Sequence, residues 1–139
     1  MSNILIFRTD EGILDKSLIG KSATAATTVK DTNTAMAVGS GNLDVFATPM
    51  MIALMEQAAC NCLLDILEPG QSSVGTQISV DHTAASPLGA KIMATATVTS
   101  VEGRKITFDI SAKDNKDEIG RGTHTRFVID AARFMSKMQ

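Results

Sequence analysis

Tryptophan and tyrosine are absent from this 139-residue chain, and only five Phe supply aromatic rings. No interior can therefore be organised around large indole or phenol groups; aliphatic side chains and eight Met have to fill it. Cysteine is nearly absent too. Cys60 and Cys62 stand two positions apart in a helical pattern, so their side chains point about 200° apart and do not bridge each other. Without further ligands at metal-binding spacing, a tetrahedral metal site is not expected, and reduced, packed thiols are.

An excess of positive charge is also missing. Lys and Arg total 13 against 15 Asp and Glu, a formal net charge of -2, and the basic residues are scattered. No basic field is available to attract a phosphate backbone, so nucleic acid is not an expected partner. No run approaches the roughly twenty apolar residues that span a bilayer. The richest, Pro49 to Met55, ends at Glu56, and no membrane partner is expected. The start, MSNILIFRTDEG, has only a short apolar run before charges begin, too short for a signal-peptide core, so a cytoplasmic location is expected. Repeats, linkers and low-complexity tracts are lacking, which points to one domain over residues 1–139, able to bury roughly two thirds of its unfolded surface. A Gly-rich phosphate loop after a strand and a GxSxG motif are missing as well. Nucleotide binding and the α/β-hydrolase mechanism are disfavoured accordingly.

What is present divides the chain in two. Ser22 to Val38 is rich in Thr, Ala and Val without helical period, which predicts an extended segment broken near Asp31 to Asn33. After the loop GSGNLD, Thr48 reads as an N-cap with Pro49 at the first helical position, and an apolar helix is predicted to about Leu67, stopped by Pro69 and Gly70. Four β-rich runs follow. Those around VEGRKI and DNKDE are separated by turn residues, so two hairpins and an antiparallel meander are expected. Ile106, Phe108 and Ile110 alternate with Lys105, Thr107 and Asp109, which gives the sheet one covered side. A helix apolar on nearly every side needs wrapping. The predicted architecture is α+β: an antiparallel sheet of about five strands curled around one long central helix, the hotdog fold.

Several residues carry possible chemistry. Glu56 sits in the apolar helix, where lost hydration makes a carboxylate a plausible base or nucleophile, although a solvated or ion-paired surface position fits the pattern too. His82 lies near a strand end ahead of a turn; it reads either as a reactive group or as a satisfied structural imidazole. Thr48 is explained by capping, worth about 1 kcal/mol, and a hydroxyl at a helix N-terminus can also hold a water or a substrate oxygen. His124 and Arg126 share a face of the last strand; for His124 a polar outer surface is the favoured reading, while Arg126 suits a phosphate or a carboxylate equally.

Four blocks in order, VFATPMMIALME, LEPGQSSVGTQISVDHTAASPLG, SVEGRKITFDISAKD and DEIGRGTHTRFVI, resemble the fluoroacetyl-CoA thioesterase-like branch of the hotdog thioesterases over about Val45 to Ile129. The resemblance implies a homodimeric acyl-CoA thioesterase with its site at the dimer interface. It implies catalytic roles for Thr48, Glu56 and His82, a backbone amide from Gly75 at the thioester, and Arg126 near the ligand. No cofactor is implied, CoA being part of the substrate, and no metal. The segment AVGSGNLD has no aromatic residue where the fluoroacyl-specialised form has a lid, and Pro49 and Gln57 stand where the family has Gly and an aromatic residue, so the acyl group is left open, with a short one favoured. A non-catalytic acyl-CoA sensor and a hotdog hydratase are the alternatives.

Overall fold

Alternation produces a sheet with one covered side: along Lys105–Lys113, Ile106, Phe108, Ile110 and Ala112 are buried while Lys105, Asp109 and Lys113 are exposed. The computed structural model describes residues 14–139, so the N-terminal stretch assessed above as a signal sequence lies outside the described residues. After a 3-10 turn at Lys16–Leu18, the chain forms β1 (Ser22–Thr28), α1 (Ala35–Val38), α2 (Thr48–Leu63), β2 (Gln71–His82), β3 (Lys91–Glu102), β4 (Lys105–Lys113), β5 (Glu118–Asp130) and α3 (Ala131–Ser136). The strands make one antiparallel five-stranded sheet in the order β1-β3-β4-β5-β2. It is the expected hotdog arrangement, with α2 against the covered side.

Both hairpins form as predicted. Gly103, at φ 63°, takes the first position of the two-residue β3–β4 turn, where a positive φ favours glycine. β2 departs from simple sequence order: it pairs with β5, so it becomes an outer strand of the sheet. The extended reading of Ser22 to Val38 holds only to Thr28. Thr34 then caps the short α1 by accepting from the Ala37 amide, a local bond that competes with strand pairing.

The core is aliphatic, as the missing aromatics demand. Met51, Leu54, Met55, Ala58, Ala59, Cys62 and Leu63 form the buried stripe of α2, at the i, i+3, i+4 spacing of one helical face. Against it lie Ile92, Ala94, Ala96 and Val98 of β3 and the inward residues of β4. The alanines on both sides permit a close helix–sheet approach, and each fully buried Ile or Phe contributes about 1.5–3 kcal/mol. The helix is not enclosed all round: among the described residues, Pro49, Ala53 and Gln57 on the far side are exposed. Regular helix also ends at Leu63, short of Leu67, and runs on as loose turns in which the Leu67 amide donates to the Leu63 carbonyl. Lys21 fixes this end to β1 through Asp65, at 2.6 Å, and the Cys62 carbonyl. Cys60 and Cys62 are free thiols, and burial pushes the Cys62 thiol up. No described helix is long and apolar enough to cross a membrane.

Candidate active site

The residues singled out from the sequence fall into two clusters. The first joins the start of α2 to the end of β2. Thr48 Oγ1 lies 2.8 Å from His82 Nδ1. The capping reading of Thr48 is not met: Ala47 is the N-cap residue and no side chain caps the helix. Pro49 already presets the first turn, and Thr48 itself is helical, which leaves its hydroxyl to His82. His82 Nε2 is buried without a hydrogen-bond partner among the described residues. Burial, the largest effect, holds the imidazole below its ordinary pKa, and the Ala84 backbone pulls the other way. A cavity of about 270 Å³ beside this pair is lined by small groups, Ala35, Ser40, Ala84 and Ala85 among them, with Val45 and Phe46.

The second cluster surrounds Glu56, in mid-helix. Its Oε2 lies 3.2 Å from Arg126 Nη1 and 3.8 Å from His124 Nε2. Arg126 is buried and fully engaged: Nε donates to Ser73 Oγ at 2.8 Å and Nη2 to the Ser73 carbonyl at 3.0 Å. Gly75 lies directly over these groups. A methyl group placed on it would meet Glu56 Oε2 at 2.7 Å, His124 Cε1 at 3.1 Å and Arg126 Nη1 at 3.3 Å. The β2–β5 register shifts between Gly75 and Gln77, a bulge of the kind that re-aims groups beside active sites. A cavity of about 220 Å³ opens here, lined by Glu56, Gly75, Thr76, Gln77, Ile78 and His124.

Glu56 is therefore not a carboxylate surrounded by apolar groups. Its side chain is 42% exposed in the single chain, and its neighbours are polar. The residue that sequence reasoning missed is His124, expected on the outer surface and found 1% exposed. The signal was its register: His124, Arg126 and the apolar Val128 alternate along one face of β5, and Val128 is buried. Among the described residues no cluster of three or more metal-ligating side chains occurs.

The two clusters do not meet within one chain. Thr48 and Glu56 are eight positions apart on α2, roughly 12 Å of helix rise, and Gly75 and His82 are separated by roughly 23 Å of strand. One carbonyl carbon cannot touch both.

The fluoroacetyl-CoA-specific thioesterase family matches the chain over residues 29–132. The chain belongs to this family. As a member it is a thioester hydrolase on the hotdog fold. A curated fluoroacetyl-CoA thioesterase from Streptantibioticus cattleyicolor is 48% identical over 96 residues, 69% of each chain. A variant of the fluoroacetyl-CoA-specific thioesterase FlK, solved in complex with fluoroacetate and CoA, superposes with TM-score 0.79 at 40% identity, covering 84% of this chain and 98% of its own. A Thermus thermophilus protein described as a thioesterase superfamily member, 24% identical, superposes at TM-score 0.80 over 86% of this chain and 89% of its own, a likeness of fold alone.

Proposed function

We propose that the protein hydrolyses a small or short-chain acyl-CoA thioester to the free acid and CoA as a homodimer, with Glu56 as nucleophile or general base. The observation that carries this reading is the Glu56 carboxylate paired with buried Arg126 beneath Gly75, in a cavity opening at an edge strand. That edge is unfinished. Gly75, Thr76, Gln77, Ile78 and Ser79 are exposed along the outer side of β2, and such edges are normally paired or covered.

Two copies of β2 paired antiparallel about a two-fold axis at Ser79, with Thr76 as the extra residue of the bulge, bring Gly75 opposite the partner's His82. The Glu56–Arg126 centre of one protomer then faces the Thr48–His82 pair of the other, which is what the separation within one chain requires. In this composite site Glu56 either adds to the thioester carbonyl, so that loss of the thiolate leaves an anhydride for water to open, or removes a proton from a water that adds instead. The Gly75 amide stabilises the resulting oxyanion, the C–S bond breaks, and the departing sulfur takes up a proton in the setting of His82, aligned by Thr48. CoA belongs to the substrate, and the scheme uses no separate cofactor. The small residues around the 270 Å³ cavity beside Thr48 and His82 fit a short acyl group. The free thiols fit a reducing compartment such as the cytoplasm.

A panel of short acyl-CoAs, fluoroacetyl-CoA included, followed by free-thiol release from wild type and Glu56→Gln, tests this. Loss of the carboxylate is expected to lower kcat by a factor on the order of 10²–10⁴. Undiminished turnover in the variant rejects the mechanism. Tight CoA binding without release by wild type across the panel indicates a sensor instead.

A further inference from the structure

We propose that His124 is a positioning residue for this reaction: a neutral imidazole that fixes the Arg126 guanidinium against the Glu56 carboxylate. The inference rests on the thioesterase reading for its kinetic consequence and on geometry for its content. The proton positions follow from the partners. The Gln77 carbonyl only accepts, so His124 Nδ1, 2.7 Å away, carries the hydrogen and donates it. In a neutral ring a lone pair is left on Nε2. Arg126 Nη1, which only donates, lies 3.1 Å from it and 3.2 Å from Glu56 Oε2. One guanidinium nitrogen is thus shared between the imidazole and the carboxylate, while Ser73 holds the opposite side.

The ring is itself immobilised. It is 1% exposed and stacks on Phe108 of β4, with centroids 6.2 Å apart and planes 27° from parallel. The charged groups facing it are Glu56 from α2 and Arg126 from its own strand; β2 supplies the Gln77 carbonyl and β4 only the Phe108 ring. A second proton on Nε2 would set N–H against N–H at Arg126 and turn the guanidinium away from Glu56. Burial foremost, helped by the Arg126 charge and opposed by Gln77 and Glu56, holds the imidazole below its ordinary pKa and the ring neutral.

Three variants separate the contributions of the ring's atoms. His124→Gln returns an acceptor near the Nε2 position, His124→Asn retains a donor near Nδ1 alone, and His124→Phe keeps only the packing on Phe108. The readouts are kcat and KM on the most active acyl-CoA, melting temperature, and ¹⁵N NMR of arginine-labelled protein, with the Arg126 signals assigned by comparison with Arg126→Lys. A guanidinium held on several sides shows separate Nη signals. His124→Asn and His124→Phe are expected to lose about tenfold to a hundredfold in kcat, with KM changed by less than about threefold, and His124→Gln to recover most of the loss. The Arg126 Nη signals should stay separate in wild type and His124→Gln and merge in the other two. Separate signals in His124→Asn overturn the proposal, as does a kcat that falls equally in His124→Gln and His124→Asn in step with melting temperature. If wild type hydrolyses no thioester, the thioesterase reading fails, and the Arg126 signals decide the positioning role either way.

Discussion

Gly75→Ala should uncouple activity from stability. Gly75 has no positive φ, so alanine suits its backbone, and removing a glycine from the unfolded chain adds about 0.4–1 kcal/mol where no clash follows. A clash does follow, chiefly against a movable group, with the buried His124 Cε1 at 3.1 Å and Arg126 Nη1 at 3.3 Å only slightly crowded. The new methyl would stand 2.7 Å from Glu56 Oε2, whereas ordinary contact begins at 3.4 Å, so the carboxylate oxygen has to retreat by about 0.7 Å. Glu56 has flexible torsions and a side chain 42% exposed, so the retreat is cheap for the fold. For the chemistry it is costly, since a displacement approaching 1 Å removes a factor on the order of 10² from a positioned reaction. Thiol release should therefore fall about tenfold to a hundredfold in kcat, while the melting temperature by calorimetry stays within about 3 °C of wild type. Full activity in the alanine variant would refute the geometry beneath Gly75. A collapse in melting temperature that accounts for the lost activity would refute the claim that the carboxylate takes up most of the clash.

Ile78→Arg, within the exposed run of β2, should give a monomer by sedimentation velocity and abolish thiol release; a dimeric, active variant would reject the edge pairing. Thr48→Val removes the hydrogen bond to His82, so kcat should fall by up to about tenfold. Because Thr48 caps nothing, the melting temperature should change by less than the roughly 1 kcal/mol of a lost cap implies. Stability should depend on pH through both histidines. Each imidazole is depressed in the folded chain and titrates near 6.5 when unfolded, so the unfolded chain binds more protons; stability is full above about pH 6.5 and is lost as pH falls through the lower folded-state values. Melting temperatures measured down from pH 8 should show a shallower decline in His124→Gln than in wild type.

Local signals, hydrophobic period together with Pro49 and the turn residues, determined the long helix to within a residue of its start, the two hairpins around Gly103 and Asp114, the covered face of Ile106, Phe108 and Ile110, and the class of fold, because each depends on neighbours a few residues away. Glu56 stood out in sequence for the same reason, as a charge in an apolar run. That Arg126 and His124 would meet it did not. Ser73 and Gln77 hold Arg126 and His124 against Glu56 only because β2 crosses to the far edge and pairs with β5, a non-local choice that no local pattern encodes. Capping chemistry misread Thr48, since the competing bond to His82 comes from a strand end 34 residues away. The inward orientation of His124 was likewise decided by strand register, because a one-residue slip would exchange the two faces. Sequence names the reactive side chains; the crossing of the sheet determines which of them can touch.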